Sequence, residues 1–232
     1  MSLDAMRGGL VVSVQASPGS PLASPETMSA IARAAELGGA AGIRAEGADD
    51  VRAIKGAVSV PVIGLVKRDV PDSPVRITPD LEDARAVVSA GADVVAVDAT
   101  LRTRSGGMTS HDFVAALAGE LERPVLGDVD SFEAAMAAHA AGADAVATTL
   151  SGYTGDAPAP EEPDLELVQR LAGELDCPVL AEGRYSTPDD VRAALEAGAF
   201  AVVVGTAITD PTVLTRRLAV GATPRRAHGT PR

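Results

Sequence analysis

Short apolar runs recur along the chain, spaced so that one helix fits between each pair. Three of them begin alike: Val60-Pro61-Val62-Ile63-Gly64-Leu65, Arg123-Pro124-Val125-Leu126-Gly127 and Cys177-Pro178-Val179-Leu180-Ala181. A proline opens each run, at the one place where a strand tolerates a missing N–H. A second pattern alternates with the first: Ala90-Gly91-Ala92-Asp93-Val94-Val95, Ala141-Gly142-Ala143-Asp144-Ala145-Val146 and Ala197-Gly198-Ala199-Phe200-Ala201-Val202, with a weaker copy at Gly38-Gly39-Ala40-Ala41-Gly42-Ile43. Its glycine suits a helix end in the left-handed conformation just before the chain enters a strand. Amphipathic stretches such as Ser131 to Ala140 and Thr187 to Glu196 lie between the runs, and Asp130-Ser131 and Ser186-Thr187-Pro188 resemble helix starts.

Eight strands are predicted, near residues 10–16, 41–45, 61–66, 93–98, 124–128, 144–149, 178–182 and 200–205. Strands alternating with helices imply right-handed crossovers and a parallel sheet. Eight of each fit a closed (β/α)8 barrel better than an open doubly wound sheet. The expected fold is therefore a single-domain α/β TIM barrel over residues 10–219, after a leader at 1–9 and before a C-terminal tail at 220–232. A length of 232 residues is near the usual size for one such domain.

Composition sharpens this in three ways. Hydrophobic residues make up 46% of the chain but aromatic residues only 2%, so the core is built from Ala, Val, Leu and Ile, as suits parallel strands buried on both faces. The formal charge of −12 argues against a nucleic-acid partner and against docking on an anionic membrane. An anionic substrate would have to be drawn in by a local positive pocket. Cys177 stands alone and the only histidines are His111, His139 and His228, so neither an internal disulfide nor a metal site is expected. Leu10 to Val14 is too short for a signal peptide and no run is long enough to span a bilayer, which points to the cytoplasm.

In a parallel barrel the chemistry lies beyond the carboxyl ends of the strands. Those ends carry Gln15, Arg44, Lys67-Arg68, Asp98, Asp128, Thr148-Thr149, Glu182 and Gly205-Thr206, with Arg102, Arg104 and Arg184 close behind. For each arginine, an ordinary solvated loop charge is an equal alternative. Lys67 is more pointed. Only two of the twenty basic residues are lysines, Lys55 in a predicted surface helix and Lys67 at the end of an apolar strand. A position that uses Lys where Arg is the default suggests a group that must lose its proton. An ordinary lysine is only about 0.04% neutral at pH 7, so a base here needs Arg44, Arg68 or burial to lower its pKa.

Glu182 is the second titrating candidate, able to protonate or deprotonate a sugar oxygen. A structural carboxylate paired with Arg184 or Lys67 explains it equally well. Asp98 and Asp128 can orient hydroxyls or the lysine, or serve as scaffold acids. Gly183 and Gly205-Thr206 fall at the ends of strands seven and eight, where such barrels often bind phosphate through backbone N–H groups. None of the histidines falls at a strand end, and Cys177 precedes a strand and reads as structural. The Gly-, Pro- and acid-rich loop from Ser151 to Pro163 fits a lid or a plain surface excursion.

Six ordered segments together resemble the N-acetylmannosamine-6-phosphate 2-epimerase family. They are Gly64 to Asp69, Ile77 to Pro79, Asp98 to Thr100, Thr148 to Thr154, Ala181 to Tyr185 and Val204 to Thr209, within a likeness covering about residues 10 to 218. The resemblance implies a cofactor-independent, metal-free isomerase acting on a phosphorylated N-acyl amino sugar. It would interconvert N-acetylmannosamine 6-phosphate and N-acetylglucosamine 6-phosphate in sialic acid and amino-sugar catabolism, as a cytoplasmic homodimer. By the same likeness Lys67 moves the C2 proton and Glu182 assists it. Gln15, Arg44 and Asp128 match substrate-contacting positions, and Gly183, Arg184, Gly205 and Thr206 fall in the expected phosphate region. After Ala207-Ile208-Thr209 the family usually has Arg-Pro; this chain has Asp210-Pro211, and Arg184 or Arg216 is the candidate to compensate. Two other readings stay open: a Schiff-base aldolase or lyase using Lys67 as nucleophile, and a non-catalytic sugar-phosphate-binding barrel.

Overall fold

A computed structural model describes residues 3–17 and 19–222. Eight parallel strands close on themselves in sequence order: β1 (Leu10–Val14), β2 (Gly42–Glu46), β3 (Val62–Leu65), β4 (Val94–Asp98), β5 (Val125–Asp128), β6 (Ala145–Ala147), β7 (Val179–Glu182) and β8 (Ala201–Val204). Leu10 to Val12 pair with Val202 to Val204 to complete the ring. Seven helices cover the outside: α1 (Pro25–Leu37), α2 (Ala48–Lys55), α3 (Leu81–Ser89), α4 (Ser110–Glu120), α5 (Phe132–Ala140), α6 (Leu165–Glu174) and α7 (Pro188–Glu196). The chain then makes a single turn, α8 (Thr206–Thr209), and a further helix, α9 (Pro211–Ala219). Each predicted strand is present, with ends shifted by one or two residues.

The repeats do what their chemistry suggested. Gly39, Gly91, Gly142 and Gly198 all adopt φ near +100°, immediately after α1, α3, α5 and α7. Ser131 caps α5, its hydroxyl accepting from the Ala134 N–H. Thr187 and Asp190 form a reciprocal capping box on α7, with Pro188 in the first turn. Gly64 is required for another reason: a Cβ there would stand 2.8 Å from that of Ala92, so its absence lets the outer layer approach β3.

Strand alternation divides the core in two. Ile63 and Leu65, Val94 and Ala96, Ala145 and Ala147, and Ala201 and Val203 belong to the cluster that fills the barrel. Val12, Val14, Ile43, Ala45, Val95 and Val97 face the helices. Met6, in a short 3-10 turn at Leu3–Met6, is fully buried and joins the interior cluster. The segment before β1 thus contributes core. Residues 223–232, most of the expected tail, lie outside those described.

The inward alternation continues past the apolar layers to the carboxyl rim. Lys67, Asp98, Asp128, Thr149, Glu182 and Gly205 each come two residues after an inward core residue, and on β2 Arg44 and Glu46 follow Gly42 by the same step. The scaffold that buries Val, Ile and Ala therefore gathers these groups into one ring.

Candidate active site

The rim of the barrel opens into a cavity of about 1360 Å³, lined among others by Gln15, Lys67, Thr149, Glu182, Gly183 and Gly205. Lys67 stands just beyond β3 and Glu182 ends β7, four strands away in an eight-stranded ring, so the two face each other across it. Among the described residues no ion pair joins them, so a ligand can enter between an amine and a carboxyl group. The lysine Nζ donates to Gln15 Oε1 at 2.5 Å, and Gln15 Nε2 donates to Ser13 Oγ at 2.8 Å. The Lys67 side chain is open to the solvent that fills the cavity, yet the barrel mouth surrounds it. That burial is the largest influence on the amine and pulls its pKa down; the nearby Arg44 charge adds to it, against Glu46, Glu182 and Asp128. Arg68, expected to help, does not: its guanidinium turns away to Asp83, at 2.9 Å, and to Asp80.

Below the floor lies a buried ionic cluster. Arg44 is 1% exposed and Asp128 fully buried. The guanidinium grips Asp128 with both terminal nitrogens, at 2.9 and 2.6 Å, and reaches Glu182 Oε2 at 2.9 Å. The Thr149 hydroxyl lies 2.6 Å from Asp128 Oδ1 and 3.2 Å from Glu182 Oε2, and its single proton can serve only one of them at a time. Burial pulls the Arg44 pKa down, but the Asp128 and Glu182 charges outweigh it and hold the guanidinium above the ordinary arginine value. Glu182 is the member that surfaces, with 15% of its side chain exposed. Burial pushes its carboxyl above the ordinary range and Asp128 adds to that, while Arg44 and Lys67 pull the other way.

The expected site residues do not all reach the cavity. Lys67, Gln15, Glu182, Gly183, Arg184, Gly205 and Thr206 all line the cavity. Arg44 and Asp128 do not line it; Arg44, gripped by Asp128, holds Glu182 from beneath. Asp98 is at the rim but its carboxylate is taken by Arg102, at 2.7 Å, and by the Thr100 hydroxyl and N–H. Arg104 is buried behind β4 and lines no part of the cavity. His111 and His139 lie in α4 and α5.

Charge at the rim is mixed, not basic: five cationic and five acidic side chains line the cavity. In a chain of net charge −12 that is still a local relief from negative potential. Glu46, at the end of β2, was not anticipated, although it follows Arg44 by two residues and so had to point the same way. Arg217, not the expected Arg216, faces the cavity from α9. Arg184 does not pair with Glu182. Its Nε and NH1 donate to the carbonyls of Glu162 and Ser151, at 2.6 and 2.7 Å, tying the 151–163 loop to the end of β7. Asp210 caps α9, accepting from the Val213 N–H at 3.0 Å, and takes the Ser17 hydroxyl at 3.3 Å. Gly205, Thr206 and Ala207 line the cavity at the start of α8, which has no side-chain cap.

The family described as "Putative N-acetylmannosamine-6-phosphate epimerase" matches residues 28–222. Two relatives with the corresponding 2-epimerase name come from Cutibacterium acnes, 50% identical over 212 residues, and from Caldanaerobacter subterraneus subsp. tengcongensis, 46% identical over 222. The first alignment covers 90% of this chain and 92% of the relative; the second covers 95% and 94%. The solved N-acetylmannosamine-6-phosphate 2-epimerase of Clostridium perfringens superimposes with a TM-score of 0.89 at 38% identity, over 94% of this chain and 95% of that one. A thiamine phosphate pyrophosphorylase from Pyrococcus furiosus, at 19% identity and a TM-score of 0.59, shares the fold alone.

Proposed function

The chain belongs to the N-acetylmannosamine-6-phosphate epimerase family, and from that premise we propose that it interconverts N-acetylmannosamine 6-phosphate and N-acetylglucosamine 6-phosphate by moving the proton on C2. The observation that carries this is the opposition of Lys67 and Glu182 across one cavity, with the lysine's affinity for its proton lowered and the carboxyl's raised. Those are the directions needed by a base and by an acid.

A C2 proton is acidic only beside a carbonyl, so the pyranose must first open to its aldehyde. Glu182 delivers a proton to the ring oxygen and its carboxylate takes the one that O1 gives up, and the Arg44 guanidinium, itself gripped by Asp128, keeps the carboxyl in place. Neutral Lys67 then takes the C2 proton. The electrons of that bond move into C1=C2 and onto O1, where hydrogen-bond donors at the rim stabilise the oxyanion. Return of a proton to the opposite face of C2 completes the epimer. Gln15 accepts from the lysine ammonium and so fixes its direction. In this reading Lys67 acts as a base and not as a Schiff-base nucleophile.

The phosphate fits best at the ends of β7 and β8, against the backbone of Gly183 and the start of α8 at Gly205-Thr206. Arg217 and Arg184 are the cations at that end, and Asp210 is an acid among them. Asp210→Asn keeps the cap on α9, since Asn accepts from an N–H as well as Asp does. Removing one negative charge a few ångströms from a phosphate in a solvated site is worth up to about 1 kcal/mol. The variant is therefore expected to bind the sugar phosphate more tightly, with KM down about threefold at low salt and kcat unchanged. An unchanged KM, insensitive to ionic strength, places the phosphate elsewhere.

The function itself is tested by proton NMR of the protein with N-acetylmannosamine 6-phosphate in D2O. N-acetylglucosamine 6-phosphate carrying deuterium at C2 is the expected product. Folded protein that gives neither product nor exchange refutes the proposed reaction on this substrate.

A further inference from the structure

The lysine on which this reading rests is not carried by a strand of the barrel proper. Beyond β3 the chain runs out through Lys67, turns, and returns antiparallel, with bridges between Lys67 and Ile77 and between Val70 and Ser73. The base thus sits on a short hairpin inserted between β3 and β4, and something must fix that hairpin against the barrel. Thr78, at its foot, does part of this. Its N–H donates to the Val66 carbonyl at 2.7 Å, and its hydroxyl accepts from the Val66 N–H at 3.2 Å and donates to the Ala96 carbonyl at 2.6 Å. It is fully buried and holds φ +44°, which a β-branched residue adopts only when its surroundings impose it.

Arg104 supplies the imposition. It comes from the loop after β4, is 4% exposed, and forms no ion pair among the described residues. One terminal nitrogen donates to the carbonyls of Thr78 and Pro79, at 3.3 and 3.1 Å, and the other to the carbonyl of Asp98. The guanidinium lies 3.8 Å from the centre of the Phe113 ring. Burial with no carboxylate gripping it pulls its pKa down to about 10. A buried cation whose two terminal nitrogens donate only to main-chain carbonyls, of Thr78-Pro79 on one side and of the end of β4 on the other, is a clamp.

We propose that Arg104 is a positioning residue for Lys67: by holding the foot of the hairpin at Thr78-Pro79 against the end of β4, it sets the place of Val66 and hence of the amine beside it. The inference rests on the reading of Lys67 as the base, but the clamp can be tested without it. A fixed hairpin keeps the amine within the barrel mouth, where burial and Arg44 lower its pKa. A slackened one lets the amine swing into solvent, and its pKa rises.

The experiment uses the full chain and four variants: Arg104→Met, which keeps a long side chain on Phe113 but no donors, Arg104→Lys, Thr78→Val and Thr78→Ser. Two quantities are read, the kinetic constants for epimerisation and the pH dependence of Lys67 acetylation by trace acetic anhydride, followed by peptide mass spectrometry. Arg104→Met and Thr78→Val are each expected to lower kcat tenfold or more, with KM within threefold, and to move the Lys67 titration to higher pH. Thr78→Ser should stay near the parent and Arg104→Lys should recover part of the loss. Should Arg104→Met fail to fold, Thr78→Val against Thr78→Ser decides. An unmoved Lys67 titration in the folded variants overturns the clamp, whether or not kcat falls. A parent protein without epimerase activity refutes the proposed reaction, and the titration still decides the clamp.

Discussion

Lys67→Ala is expected to lose about 10³- to 10⁴-fold in kcat and, in D2O, to stop incorporating deuterium at C2. That is the upper range for removal of a positioned general base. No other lysine can take over. The only other lysine, Lys55, ends α2 and pairs with Asp93 before β4, at the far end of the barrel from the cavity. Lys67→Arg separates proton transfer from charge: arginine keeps a cation near Gln15 but stays protonated, so it should be nearly as inactive as alanine. Exchange that survives in Lys67→Arg would remove the lysine from the proton path. The parent protein should show Lys67 acetylation rising with pH through a midpoint below the ordinary lysine value of 10.5, because burial in the mouth and the Arg44 charge both disfavour the ammonium. Borohydride added during turnover should leave Lys67 unmodified, whereas a Schiff base would be trapped on it.

Much of this was legible from alternation alone. Once Val62-Ile63-Gly64-Leu65 is read as a strand, Ile63 and Leu65 face inward, and Lys67 must follow them to the rim. The same count places Glu182 after Leu180 and Asp128 after Leu126. It also places Glu46 after Arg44, a step open to anyone counting by two. Depth was not legible. Arg44 and Asp128 occupy one layer and Lys67 the next, because the strands of a barrel are staggered, and stagger is set by pairing between distant segments. The register Arg44↔Ile63 and Asp98↔Asp128 appears only once the ring is closed. The hairpin from Lys67 to Ile77 was likewise hidden, since Val70-Pro71-Asp72-Ser73 reads as any turn. Arg216 and Arg217 differ by about 100° around α9, and the helix phase that aims Arg217 at the cavity follows from where Asp210 caps it.

Arg44→Met is the substitution expected to harm stability most. It removes the cation that lies between Asp128, fully buried, and Glu182. Breaking a buried ion pair from one side costs about 3–5 kcal/mol, because the stranded charge keeps its desolvation penalty. For a domain of this size that corresponds to a Tm lower by about 10 °C. The loss should depend on pH in a definite direction. Without Arg44 the Glu182 carboxyl, already pushed up by burial, loses the charge that opposes that push, so its folded pKa rises further above that of the unfolded chain. The folded state then binds more protons than the unfolded one, and its stability falls as pH rises through that folded value. The deficit against the parent should therefore be smallest near pH 5 and largest near pH 8. Adding Asp128→Leu should recover part of the stability, since a buried pair replaced by apolar groups is often neutral. It should not recover turnover, because Glu182 has then lost the guanidinium that holds its carboxyl. A single Arg44→Met variant as stable as the parent at pH 8 would mean that Glu182 already holds a proton in the native protein. The guanidinium would then count for little in holding Glu182, and the acid of the reaction would be set by the carboxyl pair itself.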